Sequence, residues 1–120
     1  MLRSMLKSKL CSVTITEAQL YYKGSITIDE ELMAAADILE GERVDVLNIN
    51  NGARVQTYAI EGPRGSGVIC LNGPAARYGC KGDKVTVLSY GFFSPEEIRT
   101  AKPRIVEVDD ANRIKNKNLA

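Results

Sequence analysis

The chain has 120 residues and no histidine at all. Histidine is the usual general base near neutral pH, so its absence excludes Ser-His-Asp and Cys-His catalysis. Any proton transfer falls to Tyr, Lys, Asp, Glu, Cys or a cofactor. Cysteine is scarce and odd in number. Cys11, Cys70 and Cys80 lack CxxC spacing, which indicates neither a disulfide framework nor a zinc site. Free thiols in a reducing compartment fit that pattern better. An excess of one charge is missing too: 16 basic residues face 15 acidic ones. No electrostatic footprint for nucleic acid or an anionic membrane follows. No apolar run approaches the length that spans a bilayer. The opening "MLRSMLKSKLCS" scatters Arg3, Lys7 and Lys9 through its apolar residues, so no secretory signal is read and a cytoplasmic location is expected. Internal repeats and low-complexity tracts are also lacking.

What is present is mostly β. The length suits a single domain, 1–120, able to bury roughly two-thirds of its unfolded surface without metal or disulfide staples. Residues 9–15, 44–49, 54–60, 67–71 and 84–90 are rich in β-branched and apolar types and read as strands. Asn51-Gly52 predicts a hairpin between two of them, because a type I′ turn needs φ > 0 at both central positions. Gly79 and Gly82 mark a bend before "DKVTVLSY". In "IDEELMAAADILEGE", Asp29 can cap a helix, Ile28 can staple to Met33, and Gly41 can close the end. Leu32, Ala35, Ala36 and Leu39 form its apolar stripe, read as core. A second helix starts at "SPEE", with Ser94 as cap, Pro95 at the first helical position and Glu97 completing a capping box. It should stop before Pro103. "RIVEV" at 104–108 is a candidate last strand, and residues 109–120 are expected to be a loose tail. Many short strands with small helical insertions favour a compact β-barrel over a parallel βαβ sheet.

Four stretches carry chemistry or its imitation. "YYKGSIT" at 21–27 sets Gly24-Ser25 where a turn between strands is an adequate account. "GPRGSGV" at 62–68 lacks the Lys-Ser/Thr ending of a P-loop, the spacing of a dinucleotide fingerprint, and the spacing of GxSxG, so it is read as a turn. In "ARVQTYAIEG", alternation puts Arg54, Gln56 and Tyr58 on one strand face and Val55, Thr57 and Ala59 on the other. That face offers a guanidinium fork for a carboxylate and a phenol as proton donor, although from this segment alone a solvated strand face is the favoured account. "NGPAAR" at 72–77 places Pro74 in the first turn of a short helix or a strand-to-turn connection.

In order and spacing, "MLKSKLCSVTIT", "YKGSITID", "NNGARVQTYAIEG", "RGSGVICLNGPAAR" and "GDKVTVLSY" resemble the bacterial aspartate 1-decarboxylase family. The resemblance covers roughly residues 1–90, and five fragments in register are far more specific than any one. One departure is Cys11, where members of the family often carry histidine, and no role is assigned to it.

The resemblance implies a double-psi β-barrel, six-stranded, assembled as a homotetramer with active sites between neighbouring subunits. It implies a proenzyme that cuts itself between Gly24 and Ser25, giving chains 1–24 and 25–120. Ser25 Oγ attacks the Gly24 carbonyl, the amide becomes an ester, β-elimination frees the upstream chain, and hydrolysis of the dehydroalanine leaves a pyruvoyl group and ammonia. Family precedent gives Thr57 the task of polarising the Gly24 carbonyl, with Tyr22 and Tyr58 holding the site. If Thr57 and Tyr58 both contribute, the strand is irregular there or serves two sites. The covalent pyruvate formed from Ser25 makes a Schiff base with the amine of L-aspartate, and Tyr58 then returns a proton. A phenol holds its proton at neutral pH and suits that task. Lys9 and Arg54 are the cationic partners for the substrate carboxylates, and Asn72, Gly73, Pro74 and Ala75 match the family's substrate-binding segment. The product is β-alanine, a precursor of pantothenate.

Two alternatives remain at this stage. One is a small β-barrel module that binds nucleic acid or protein and stays uncleaved, since fold does not fix function. The other is a decayed relative that folds without processing. The resemblance leaves open whether cleavage is spontaneous or needs an accessory maturation protein.

Overall fold

Two-residue periodicity in the apolar runs decides which sides of the strands meet. Ile26 and Ile28, Val44 and Val46, Ile69 and Leu71, and Val85 and Val87 each alternate with more polar neighbours, and all eight are buried. The computed structural model describes residues 1–119. Its strands are β1 (Arg3–Thr14), β2 (Glu17–Gln19), β3 (Ser25–Asp29), β4 (Arg43–Asn48), β5 (Arg54–Gly62), β6 (Ile69–Asn72), β7 (Lys84–Phe93), β8 (Arg104–Val108) and β9 (Ile114–Leu119). Helices α1 (Glu30–Ala35) and α2 (Pro95–Thr100) and a 3-10 segment (Gly73–Tyr78) complete the chain.

The mainly-β expectation holds, and all five strands read from the sequence are present. The expected count of six strands is not reproduced. Among the described residues the ladders draw nine strands in an open order, β2-β6-β3-β5-β4-β7-β1-β8-β9. The extra strands have local causes. β2 continues β1 past Ile15 and Thr16, crossing from β7 to pair in parallel with β6. β8 and β9 extend the sheet on the outer side of β1. Leu10 and Val13 both reach the core although three residues apart, because the β1–β7 register shifts between them and Ser12 has φ +54°. That is a β-bulge, one extra residue that resets the alternation.

Three local expectations also change. Helix α1 ends at Ala35 rather than running to Gly41. Asp37 takes φ +54°, its N–H bonds to Ala34 O, and the Ile38 N–H bonds to Met33 O at 2.9 Å. This pair of bonds is a Schellman ending with Asp in the usual glycine place. It turns Ile38 into the core and leaves Leu39 exposed, so Leu39 drops out of the expected stripe. The Asn51-Gly52 hairpin forms, but only Gly52 has positive φ, so the turn is not type I′. A five-residue loop, 49–53, is held instead by asparagine side chains: Asn48 Oδ1 accepts from Asn50 N and Asn51 Oδ1 from Ala53 N, both at 2.8 Å. Finally, the stretch expected to be a loose tail carries β9. Buried Asn112 pins it, with Oδ1 accepting from Thr14 N and Nδ2 donating to Thr14 O and Gly67 O, each at 2.8 Å. Helix α2 follows the sequence reading closely, its Ser94–Glu97 capping box complete on both sides.

Candidate active site

The site grows from the junction of β3, β5 and β6. β3 runs antiparallel to β6, pairing Ser25 with Asn72 and Thr27 with Cys70. It runs parallel to β5, where the ladder begins at Ile26–Ala59, so Ser25 and Tyr58 are the residues just before the first pair. Ile26 and Ala59 are buried in the core. By alternation Ser25 and Tyr58 project from the opposite face of these neighbouring strands.

On that face lies a polar cluster without a charge. Ser25 is fully buried, and its Oγ accepts from Asn72 Nδ2 at 2.8 Å. The same Nδ2 donates to Thr27 Oγ1 at 2.9 Å, and the Cys70 thiol donates to Asn72 Oδ1 at 3.2 Å. Burial, with Glu17 adding to it and a backbone bond to Gln19 opposing, raises the Cys70 thiol above its ordinary pKa. Buried polar groups are costly unless partnered, and no buried side-chain N or O among the described residues lacks a hydrogen-bond partner.

Immediately upstream, Gly24 opens onto a cleft of about 470 Å³ lined also by Val55, Gln56, Thr57, Pro74, Ala75 and Tyr78. The 3-10 segment is pressed against this stretch. Gly73 has φ +64°, and a Cβ placed there would stand 2.6 Å from Tyr22 O and 2.9 Å from Gly24 N. Glycine is therefore required at 73 on two counts, conformation and space. Tyr22 contributes this backbone oxygen, while its side chain is exposed. "NGPAAR" becomes the 3-10 segment, with Asn72 as its cap and Pro74 in its first turn.

Lys9 and Arg54 stand elsewhere in the same chain. They line a second cleft, about 700 Å³, with Leu47, Asn48, Ile49, Gly52, Ala53, Thr86 and Leu88. The two clefts share no lining residue. One Arg54 N–H group donates to Asp45 Oδ2 at 2.9 Å, with Asp45 largely buried and the guanidinium half-exposed. Cys11 is half-buried on β1. Its thiol pKa is raised by burial, against the pull of Lys9 and with a push from Glu107.

The structure therefore gathers Gly24, Ser25, Thr57, Asn72, Gly73, Pro74 and Ala75, sets Tyr58 on the other face of β5 from Thr57, and keeps Lys9 and Arg54 apart from them. β5 pairs regularly with β4 from Leu47–Arg54 to Arg43–Tyr58. Thr57 and Tyr58 thus point to opposite sides of a regular strand, and no irregularity reconciles them. Val55, Gln56 and Tyr78 also line the Gly24 cleft. Tyr78 was legible as the aromatic closing "NGPAARY"; Val55 shares the Thr57 face by the same alternation that was read along β5.

The chain is similar to known proteins of one family. A model of the aspartate decarboxylase family matches residues 1–115. The aspartate 1-decarboxylase of Caldicellulosiruptor saccharolyticus is 60% identical over 114 residues, 95% of this chain and 89% of that protein. That of Heliobacterium modesticaldum is 58% identical over 112 residues, 93% of this chain and 85% of that protein. The rationally designed mkDPBB_sym_86 protein aligns with a TM-score of 0.49 at 22% identity, covering 64% of this chain and 90% of that one, a likeness too slight to carry an argument. On the family match and on identities near three-fifths across almost the whole length, the chain belongs to the aspartate decarboxylase family.

Proposed function

We propose that this chain decarboxylates L-aspartate to β-alanine and carbon dioxide for pantothenate synthesis, after cutting itself between Gly24 and Ser25. The family and the names of its relatives support the reaction. The observation that carries the reading is Ser25: a fully buried hydroxyl, fixed by Asn72 Nδ2, on the residue that follows the glycine at the cleft. Nucleophilic attack on a neighbouring carbonyl needs this kind of fixed, short-range geometry. Gly24 has no Cβ to obstruct it, and Thr57 lines the cleft beside that carbonyl's residue.

The surroundings of residue 25 fit a keto group in place of the hydroxyl. Asn72 Nδ2 is a donor and suits a carbonyl oxygen as well as Oγ. A pyruvoyl group made from Ser25 would supply the electron sink for decarboxylation. The chain's own residues supply the rest. Tyr58, at the strand position beside Ser25, donates its phenolic proton to the substrate carbon that has lost carbon dioxide. Arg54 and Lys9 hold the substrate carboxylates, and Gly73, Pro74 and Ala75 form the wall against which the substrate lies.

We place the active sites between neighbouring copies of a homotetramer. The separation of the Lys9–Arg54 cleft from the Gly24 cleft supports this, because a second copy can bring cations to a site that lacks them. Unpaired Cys11, Cys70 and Cys80 suit a reducing, cytoplasmic setting.

Intact-mass spectrometry of the purified protein tests the core of this reading. Two chains are expected, with the longer one resisting Edman degradation and losing activity on borohydride reduction. Ser25→Ala should remain a single folded chain. A single uncut chain with full decarboxylase activity overturns the mechanism. Incubating purified precursor alone separates spontaneous cleavage from assisted cleavage. Light scattering that shows an active monomer overturns the shared site.

A further inference from the structure

The carboxamide of Asn72 touches both hydroxyls of the β3 face, Ser25 Oγ and Thr27 Oγ1. A carboxamide has a donor end and an acceptor end of nearly equal size, and hydroxyls accept either end because they donate and accept alike. Ser25 and Thr27 alone would therefore leave the amide free to turn over. The third contact breaks the symmetry. Cys70 lies two residues before Asn72 on β6, on the same face and opposite Thr27. Its sulfur is 3.2 Å from Asn72 Oδ1, while its other acceptor among the described residues, Leu71 O, is distant at 3.9 Å.

We infer that Cys70 is a positioning residue: its thiol proton holds Asn72 Oδ1 and thereby keeps Nδ2 turned toward Ser25 Oγ. Buried beside Glu17, the thiol is kept protonated, which a donor requires. The orientation has a chemical consequence, which rests on the reading of Ser25 as the cleavage residue. In the elimination step the Cβ–Oγ bond of the ester breaks and water takes the Cα proton. The bond's electron pair stays on Oγ, now part of the Gly24 carboxylate. A donor already aimed at Oγ stabilises the charge that develops there, while an acceptor in its place would oppose it.

Two measurements test this. The first follows self-cleavage by intact mass in Cys70→Ser, Cys70→Ala and Cys70→Val. Serine restores a donor, valine restores bulk without one, and alanine restores neither. Cleavage is expected near the parent rate in the serine variant and about tenfold slower in the other two, the effect of about 1.4 kcal/mol on a barrier. Parent rates in the alanine and valine variants overturn the inference. So does equal slowing of all three that tracks a fall in melting temperature, which would make Cys70 a packing residue.

The second measurement is independent of cleavage. The infrared difference spectrum between the parent and Cys70→Val isolates the Cys70 S–H stretch. It should lie below the free-thiol frequency and return to it in Asn72→Ala. A free-thiol band in the parent overturns the inference whether or not the chain cleaves. A parent that never cleaves overturns only the reading of Ser25, and the band still decides the role of Cys70.

Discussion

Around Ser25 the polar atoms are closed in on one another, and around Arg54 they are left open. Ser25, Thr27, Cys70 and Asn72 form an uncharged, hydrogen-bonded set beneath the 3-10 segment. Lys9 and Arg54 line a wide cleft, and of the two only Arg54 forms an ion pair among the described residues, with Asp45. On the proposed function, the difference follows from what each region would recognise. A bond in the chain's own backbone is always present, so the groups that act on it are fixed in advance and must satisfy one another when buried. A carboxylate from outside arrives with water to displace, so the cations that meet it stay solvated until then. Tyr58 adjoins both by strand position, next to Ser25 of β3 and on the same face of β5 as Arg54.

That double adjacency makes Tyr58 the sharpest test of the contrast. Tyr58→Phe keeps the ring and removes only the hydroxyl. Turnover by fully processed enzyme should fall by roughly 10²–10⁴-fold, the usual contribution of a positioned general acid, while the processed chains remain detectable by mass. The processed fraction is measured first, because uncut protein mimics a catalytic defect. Undiminished turnover would make Tyr58 a packing residue of the open region.

Gly73→Ala attacks the closed region through its roof. The added Cβ would stand 2.6 Å from Tyr22 O and 2.9 Å from Gly24 N, at φ +64°. Either the 3-10 segment or residues 22–24 must move, at a cost of about 1–3 kcal/mol. Cleavage should slow by roughly 10- to 100-fold as the attack geometry is lost, with a lower melting temperature. Cleavage at the parent rate in a folded variant would show that the roof does not set the geometry beneath it.

The two regions were unequally legible in the sequence. Strand alternation along "ARVQTYAIEG" placed Arg54 and Tyr58 on one face correctly, because periodicity is local and β5 is regular. Ser25 and Asn72 came from resemblance alone. Their contact joins residues 47 positions apart, and nothing in either segment announces a parallel β3–β5 pair beside an antiparallel β3–β6 pair. The same limit explains the end of α1, where the left-handed Asp37 wins over Gly41 by delivering Ile38 to the core. Asn112 is a further case: its value lies in three bonds to Thr14 and Gly67, which a polar tail does not advertise.

A smaller effect is expected at Asp45, the partner of Arg54. Asp45→Asn removes a negative charge from the cation that should take the substrate carboxylate. KM for aspartate should fall by about two- to threefold at low ionic strength and return toward the parent value as salt screens the charge. A KM that rises at every ionic strength would show that Asp45 orients Arg54 rather than competing for it.

The smallest effect concerns the joint between the regions. Asn48 lines the Lys9–Arg54 cleft, and its Nδ2 donates at 3.0 Å both to Tyr78 O, at the end of the 3-10 segment, and to Asp83 Oδ2. The side-chain bond from Asn48, then the backbone N–H of Cys80, hold the Asp83 carboxyl below its usual pKa of 3.8. A depressed carboxyl stabilises the fold above its unfolded pKa and loses that contribution as pH falls through the folded one. The stabilisation is therefore complete at neutral pH and fades only in acid, below about pH 4. Asp83→Asn keeps an acceptor for Asn48 but cannot carry the charge, so it imitates the protonated state at every pH. Its melting temperature should lie about 1–2 °C below the parent's at neutral pH, a small shift because Asp83 is solvent-screened. The two curves should converge as the parent is acidified. Curves that stay parallel to pH 3 would mean that the charge on Asp83 does not hold Asn48. The joint would then rest on the Tyr78 carbonyl alone.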